Sequence, residues 1–484
     1  MPQTIEIDDS LAALLRRFPG IARGRLVTLP ESPADNRRGK LRSSDVRVGW
    51  DFTLDELLLP LFTQVPERAL YEYQLDGVEW LERTPRALLA DDMGLGKTVQ
   101  AILALRRLIS ARKAFNALVI APTSLALNWR AEFAKWAPDL AVTVVRPSQE
   151  GSAATWRLRV GRAHVHITTF EHVRNFESGL EDAFDVVIVD EAQRVKNPQS
   201  RQSRGLWLLK PDYLWLLSGT PLERDPTDFL ALLALLDKGR FSAEMSKLSP
   251  DYVRAIARPY VLRRRKADVL SQLPQKTYVH EILEMLPEQR AEYGTVLRQS
   301  TGDDALSRYG RLRAICDLSS EGTGAKLVRL AEIIEKVLGQ GESVVVFSFW
   351  LEILNKAFMQ IKATTECSVQ ILDSSMNLIQ RQSTVKSFQQ HGGVLFAAGH
   401  VAGEGLTLTR ANHVILLNRW WNPSKNSQVE DRAYRIGQEL PVSIYTFTMA
   451  NTVEEALDEM LVKKSAAQEV FVELLAHQLR ITPN

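Results

Sequence analysis

The chain has 484 residues, 45% hydrophobic and 24% charged, with 60 basic against 58 acidic side chains for a formal net charge of +2. That length allows two to four domains, and the near balance of charge excludes a globally basic nucleic-acid binder, so any such site must be a local patch. Two cysteines, Cys316 and Cys367, exclude a disulfide scaffold and a zinc cluster and fit a reducing compartment.

Residues 1–64 form an N-terminal extension of unclear role. Leu11–Phe18 reads as a short helix and Pro30–Arg47 as loop. The acidic start, with Glu6, Asp8 and Asp9, lacks the apolar core of a signal peptide. No apolar run approaches the roughly 20 residues that cross a bilayer, so no membrane partner is expected, and with only two cysteines no zinc is expected. Regular patterning begins at Pro66. In Leu70–Leu81 (LYEYQLDGVEWL), Gln74 can bond an adenine edge with its amide and Tyr71 can stack on the base. A helix with a buried Trp80 reads equally well there.

The next segment is the most informative. Ala87–Ala90 is a short apolar run, followed by DDMGLGKT and then apolar residues at helical spacing over Val99–Ile109. Strand, glycine turn and helix in that order hold a nucleoside triphosphate. Asp92, Met93, Gly94, Leu95 and Gly96 form the turn. Lys97 reaches the β- and γ-phosphates, and the Thr98 hydroxyl ligates Mg²⁺.

Further apolar runs at Ala117–Ala121, His164–Thr168, Val186–Asp190 and Tyr213–Ser218 read as buried parallel strands, with Leu125–Trp136 as a helix between them. Val186–Glu191 is an apolar strand ending in two acids. Asp190 suits Mg²⁺, and Glu191 suits the general base that polarises the attacking water; capping of a following helix is the alternative use of such acids. Trp215–Pro221 (WLLSGTP) ends a strand in small hydroxyls and a tight turn.

Phe229–Gln340 reads as mostly helical and charged. Within it Arg263–Lys266 is either a nucleic-acid patch or a structural hinge, and Arg308, Arg311 and Arg313 read as a solvated helix face. A second strand series follows at Ser343–Phe347, Ser368–Asp373, Val394–Ala398, His413–Asn418 and Val442–Thr448. The alternation predicts two α/β lobes with doubly wound parallel sheets, then a helical tail over Val453–Leu479. The boundaries are 65–240 for the first lobe, 241–340 for helical protrusions and linker, 341–450 for the second lobe and 451–484 for the C-terminal helix and tail. In Gln428–Gln438 (QVEDRAYRIGQ), Arg432 and Arg435 are three apart and share a helix face. Two such guanidiniums can stabilise a transferring phosphoryl group; a salt-bridged solvated helix is the other reading.

The set LYEYQ, DDMGLGKT, APTSLALNWRAEFAKW, VDEAQRVKNP, LSGTPLE, VLRRRKADVLSQLP, VVVFSFW and GEGLTLTRANHVILLNRWWNPSKNSQVEDRAYRIGQ resembles the Swi/Snf-related ATPases, helicase-like double-stranded DNA translocases of superfamily two. The match runs from about Leu70 to about Thr448 in family order. The resemblance implies two RecA-like lobes, helical protrusions at their junction, a C-terminal brace helix, and Mg·ATP held between the lobes. It implies that Gln74, Gly94, Gly96, Lys97 and Thr98 bind ATP with Mg²⁺, and that Asp190 and Glu191 hydrolyse it. Arg432 and Arg435 would reach in from the second lobe, with Gly405 and Gln428 beside them. Thr123, Ser124, Trp129, Thr169, Lys196, Asn197 and Ser348 are the expected DNA contacts, on loops that would meet phosphates without reading sequence.

Four positions depart from the family. Gln193 stands where His is usual, Tyr71 where Arg is usual, and Glu223-Arg224 replaces Gln-Asn. The leading expectation is a DNA-stimulated ATPase that moves along duplex DNA and remodels nucleoprotein complexes or DNA structures, with a protein client on that DNA. An RNA-polymerase-recycling ATPase of the same family and a silent DNA-binding scaffold are the alternatives. A bacterial or phage cytoplasm is the expected location, and a nucleus the alternative.

Overall fold

The computed structural model describes residues 70–145, 163–176, 178–219, 226–270, 273–298, 305–399 and 406–463, together with Trp156, Val160 and two-residue strand segments between Glu6 and Thr53. The expected helix over Leu11–Phe18, Gly405, Thr220–Arg224 and the tail beyond 463 lie outside the described residues. Contacts divide the chain into two compact units, broadly 70–265 and 266–463.

The first unit is a seven-stranded parallel sheet. Its strands are β1 (Arg86–Leu89), β2 (Ala117–Ala121), β3 (Val142–Val144), β4 (Val165–Thr169), β5 (Val186–Val189), β6 (Tyr213–Leu217) and β7 (Val261–Leu262), in the order β7-β1-β6-β5-β2-β4-β3. The central strands are apolar throughout because helices cover both faces of such a sheet. Residues of β2, β4 and β5 are all buried. Helix α1 (Glu72–Arg83) precedes β1, α2 (Lys97–Ser110) follows it, and α3 (Ala126–Trp136) follows β2. Helix α2 buries Ile102, Leu103, Leu105 and Leu108 along with Ala101, Ala104 and Ile109, apolar positions whose spacing marks it in sequence.

Pairing is in register: Val186 lies opposite Ala117 on β2 and opposite Tyr213 on β6. The carboxyl ends of β1, β5 and β6 therefore share one edge, where parallel sheets bind ligands. The glycine turn, Asp190-Glu191 and Ser218 all follow directly from those ends.

The second unit is a six-stranded parallel sheet of β8 (Lys276–Leu283), β9 (Val344–Ser348), β10 (Val369–Leu372), β11 (Val394–Ala398), β12 (His413–Leu416) and β13 (Val442–Met449), ordered β8-β13-β12-β9-β11-β10. Helices α4 (Pro287–Arg298), α5 (Ala305–Asp317), α6 (Ala325–Gly339), α7 (Leu351–Thr364) and α8 (Pro423–Glu430) accompany it. Residues 453–463 are helical, in line with the start of the expected tail.

Two corrections to the expected organisation follow. The stretch read as mostly helical, 229–340, contributes a strand to each sheet. Val261–Leu262 pairs with β1 and completes the first, while Lys276–Leu283 pairs with β13 over its whole length. The first unit thus runs to Arg265 and the second begins at Lys266. Val142–Val144 is a further strand absent from the sequence reading.

Candidate nucleotide site

The turn after β1 is built on left-handed backbone. Gly94 has φ +85° and Gly96 φ +78°, conformations that cost an L-residue about 1–2 kcal/mol. At Gly96 a Cβ would also lie 2.5 Å from Gln74 Nε2. The amide of α1 is therefore seated against the turn. Gln74 is buried, and its Oε1 accepts the Tyr71 N–H at 3.2 Å. Tyr71 stacks on Tyr73, with centroids 5.8 Å apart and rings 17° from parallel. Thr98, Asp92 and Met93 are half-buried; the Leu95 side chain is buried.

Lys97 donates to the carbonyl oxygens of Asp91 and Asp92, at 2.6 and 3.1 Å. Burial lowers its proton affinity, and the charges of Asp91, Glu191, Asp190 and Asp92 oppose that shift. Two arginines from beyond β7 hold the acids of the turn. Arg263 donates to Ala90 O (3.1 Å) and to Asp92 Oδ1 (3.2 Å). Arg264 donates to Asp91 Oδ1 at 3.0 Å, to Asp91 Oδ2 at 2.5 Å, to Gln100 Oε1 at 2.6 Å and to the Tyr73 carbonyl. Lys266 donates to Asp431 Oδ1 and Tyr434 O within the second unit, at 2.6 and 2.7 Å. Arg263, Arg264 and Lys266 thus settle their part of the 263–266 cluster as structural ion pairing.

Asp190 and Glu191 follow β5. Glu191 carries φ +48° and ψ +48°, an uncommon backbone for a residue other than glycine and one that concentrates at functional sites. Burial, aided by the Glu191 charge, pushes the Asp190 carboxyl up to about 6. Hydrogen bonds from Trp129 and from the Glu191 N–H, together with the Lys97 charge, act in the other direction. Gln193 Nε2 donates to Glu191 Oε2 at 2.6 Å, and Ser218 Oγ donates to Gln193 Oε1 at 2.8 Å. The residue that departs from the family thus bridges the ends of β5 and β6. A histidine in this place would bring a titrating ring; the amide makes both bonds without charge.

In the second unit Arg432 and Gln428 are buried. Arg435 Nη1 donates to Thr407 Oγ1 (2.9 Å) and Leu406 O (3.3 Å).

Several expected DNA contacts are placed otherwise. Trp129 is 2% exposed and its indole Nε1 donates to Asp190 Oδ2 at 2.8 Å; it belongs to the core of α3 and to the acidic pair. Ser348 is fully buried, donating to Trp350 O and accepting from Asn418 Nδ2, at 2.8 and 2.9 Å. Thr169 is buried at the end of β4. These three are corrected: each ends or faces an apolar element, so its side chain turns inward. Lys196 is ion-paired with Asp228 at 2.8 Å. Thr123 is exposed and donates to Glu171 Oε2 at 3.0 Å, Asn197 is exposed, and Ser124 is half-buried. Arg313, expected on a solvated face, is also buried; it donates to Arg419 O at 2.7 Å and lies over the Trp350 ring.

Mg²⁺ and a triphosphate ask for hard oxygen ligands, backbone N–H groups in a tight turn, and a lysine. The residues fit that demand. Two left-handed glycines open the turn, Lys97 heads α2, and the hydroxyl of Thr98 and the carboxylate of Asp190 supply oxygen.

A two-lobed α/β protein with a phosphate-binding turn and an acid pair on one sheet edge is the class these features define. The SNF2-related domain matches residues 73–338, and the Helicase conserved C-terminal domain matches 325–437. The chain belongs to the SNF2-related family. YwqA of Bacillus subtilis (strain 168), named for an ATP-dependent helicase/translocase, is 32% identical over 455 residues, covering 84% of this chain and 49% of the relative. A Mycoplasma pneumoniae protein named as an uncharacterized ATP-dependent helicase is 29% identical over 451 residues, covering 85% and 43%. The Sulfolobus solfataricus SWI2/SNF2 ATPase core in complex with dsDNA aligns at 27% identity and a TM-score of 0.42, over 85% of this chain and 98% of its own. The chain spans about half, or less, of the length of the curated relatives it matches.

Proposed function

We propose that the chain hydrolyses Mg·ATP and uses the cycle to move along double-stranded DNA, displacing or remodelling what is bound there. The observation that carries the reading is the first-lobe sheet edge. The glycine turn with Lys97, the acid pair Asp190-Glu191 and the Gln193–Ser218 bridge all follow from neighbouring strand ends. Family membership and the helicase/translocase name of a relative support the motor step.

In this reading Lys97 exchanges carbonyl oxygens for phosphate oxygens, which are charged and therefore better acceptors. Thr98 and Asp190 would hold Mg²⁺, whose charge offsets the negative charge on the β- and γ-phosphates. Glu191, its carboxylate oriented by Gln193, accepts the proton of the attacking water. Gln74 and Tyr71 take the adenine. Arg432 and Arg435, with Gln428 and Gly405, would stabilise charge on the transferring phosphoryl group, as the family resemblance implies. Loss of the γ-phosphate would release that bridge and open a hinge. Exposed Thr123 and Asn197, with Ser124, are the first-lobe contacts to DNA phosphates.

The test is ATPase turnover with no nucleic acid, single strands, duplex, forked DNA and RNA, followed by triplex displacement on the strongest stimulator. Duplex stimulation with triplex displacement is expected, and Arg435→Ala should keep ATP affinity while DNA-stimulated turnover falls by roughly 10³-fold or more. Stimulation by RNA alone would overturn the DNA assignment, and unchanged turnover of the variant would remove Arg435 from the mechanism.

A further inference from the structure

The indole of Trp129 is the one hydrogen bond from another element, among the described residues, that reaches the carboxylate of Asp190. Nε1 donates to Oδ2 at 2.8 Å, while the adjoining Glu191 N–H donates to Oδ1 at 2.9 Å. Each oxygen thus carries one N–H. A carboxylate oxygen has two lone pairs, so one on each side stays open toward a cation or its water. The donor is well chosen for that purpose. An indole N–H neither accepts nor titrates, so it cannot compete as a ligand or invert its bond.

The indole is itself immobilised. Trp129 is 2% exposed, Phe133 lies one turn on with its ring 6.0 Å away, and Trp136 is buried on the same side of α3. A side chain packed in this way holds its rotamer, and its donor arrives already aimed. Partners of this kind orient metal-holding groups, and their loss costs about 10–100-fold in metal affinity.

We propose that Trp129 is a positioning residue for the metal-holding carboxylate: its indole N–H fixes the rotamer in which Asp190 meets Mg²⁺. The inference rests on the reading of Asp190 as a metal-holding residue. In this role the buried indole acts through Asp190 alone.

Trp129→Phe fills most of the same space and removes the donor. The decisive readout is equilibrium binding rather than turnover. ADP affinity is measured in the full chain with and without Mn²⁺, and bound Mn²⁺ is followed by paramagnetic resonance. In Trp129→Phe the Mn²⁺ affinity of the ADP complex should fall about 10–100-fold, while metal-free ADP affinity stays at the wild-type value. Phe133→Leu loosens the same packing but keeps the indole donor, so its loss of Mn²⁺ affinity should be far smaller than that of Trp129→Phe. In an Asp190→Asn background, Trp129→Phe should add little further loss, because the two changes share one interaction. Wild-type Mn²⁺ affinity in Trp129→Phe overturns the proposal. So does an equal loss in Phe133→Leu, or full additivity with Asp190→Asn. A wild-type chain whose ADP affinity ignores Mn²⁺ would sink the ATPase reading itself, and this inference with it.

Discussion

Lys326 is a buried charge whose loss should destabilise the second unit. Its ammonium is fully buried and donates to Asp317 Oδ1 at 2.8 Å and Glu454 Oε1 at 2.6 Å. Asn418 Nδ2 donates to the other Asp317 oxygen at 2.9 Å, and Met449 N–H to the other Glu454 oxygen at 3.0 Å. The network therefore ties α5, α6, the end of β12 and the helix at 453–463 into one block. Lys326→Met leaves two buried carboxylates facing each other with no cation. Breaking a buried pair in this way costs about 3–5 kcal/mol. For a unit of this size that is roughly 6–20 °C in melting temperature. The sign with pH follows from Asp317. Burial already pushes its carboxyl up, and the Lys326 charge is the first influence holding it down. Removing the lysine raises it further, so the folded variant binds protons more readily than the unfolded chain. The penalty must then grow as pH rises and shrink as pH falls. Two units need not unfold together, so the assay is hydrogen exchange resolved to β13 and α6 through a temperature series at pH 5.5 and 8. Adding Asp317→Asn and Glu454→Gln should recover most of the loss, since both amides still accept the Asn418 and Met449 donors. A loss under about 1 kcal/mol, or an equal loss at both pH values, would refute the reasoning.

Gly96→Ala meets both a left-handed backbone and Gln74 Nε2. It should cost about 1–2 kcal/mol locally and about tenfold in ATP affinity, read with a fluorescent nucleotide. Gln193→Leu keeps the volume and breaks both bonds of the Glu191–Ser218 bridge; kcat should fall on the order of 10²-fold with ATP affinity intact, measured by steady-state hydrolysis beside equilibrium binding. Arg264→Met strands the buried Asp91 carboxylate and should destabilise the first unit by about 3–5 kcal/mol, visible as early loss of exchange protection in β1 and α2.

What could be read from the sequence follows from what repeats in it. Strands buried on both faces are continuous apolar runs, so Ala117–Ala121, Val186–Val189 and Val394–Ala398 were legible to within a residue. Lys276–Leu283 was not. It is an edge strand with Tyr278 and Ile282 exposed, and its alternating KTYVHEIL pattern sits in a charged, helical neighbourhood. Val261–Leu262 is too short to give a period. The glycine turn and the acid pair were legible because their chemistry is contiguous. The direction of an indole was not, although Ala126, Trp129, Phe133 and Trp136 recur at helical spacing and are all buried. That spacing already argued that Trp129 faces the core. Ser348 carried a similar signal, closing an unbroken apolar run in mid-sheet.

The charge balance at the phosphate turn has a source remote in sequence. Two acids precede Gly94, and left alone they would repel a triphosphate. Arg264 grips Asp91 from 173 residues away, and Arg263 grips Asp92 from 171. Strand β7 makes this possible: Ala90 N–H donates to Leu262 O at 2.7 Å and Asp92 N–H to Arg264 O at 3.0 Å, so pairing continues past β1 into the turn. The acids are thereby spent on guanidiniums, and Lys97 is left donating to neutral carbonyls alone. A cation so placed exchanges its acceptors for phosphate oxygens without first breaking an ion pair. Arg263 and Arg264 would therefore act on ATP indirectly, by removing the competition for Lys97. Neutralising Asp91 together with Arg264 (Asp91→Asn with Arg264→Met) should accordingly preserve ATP affinity far better than Arg264→Met alone. Equal loss in both variants would mean that the arginine serves the fold and not the charge of the site.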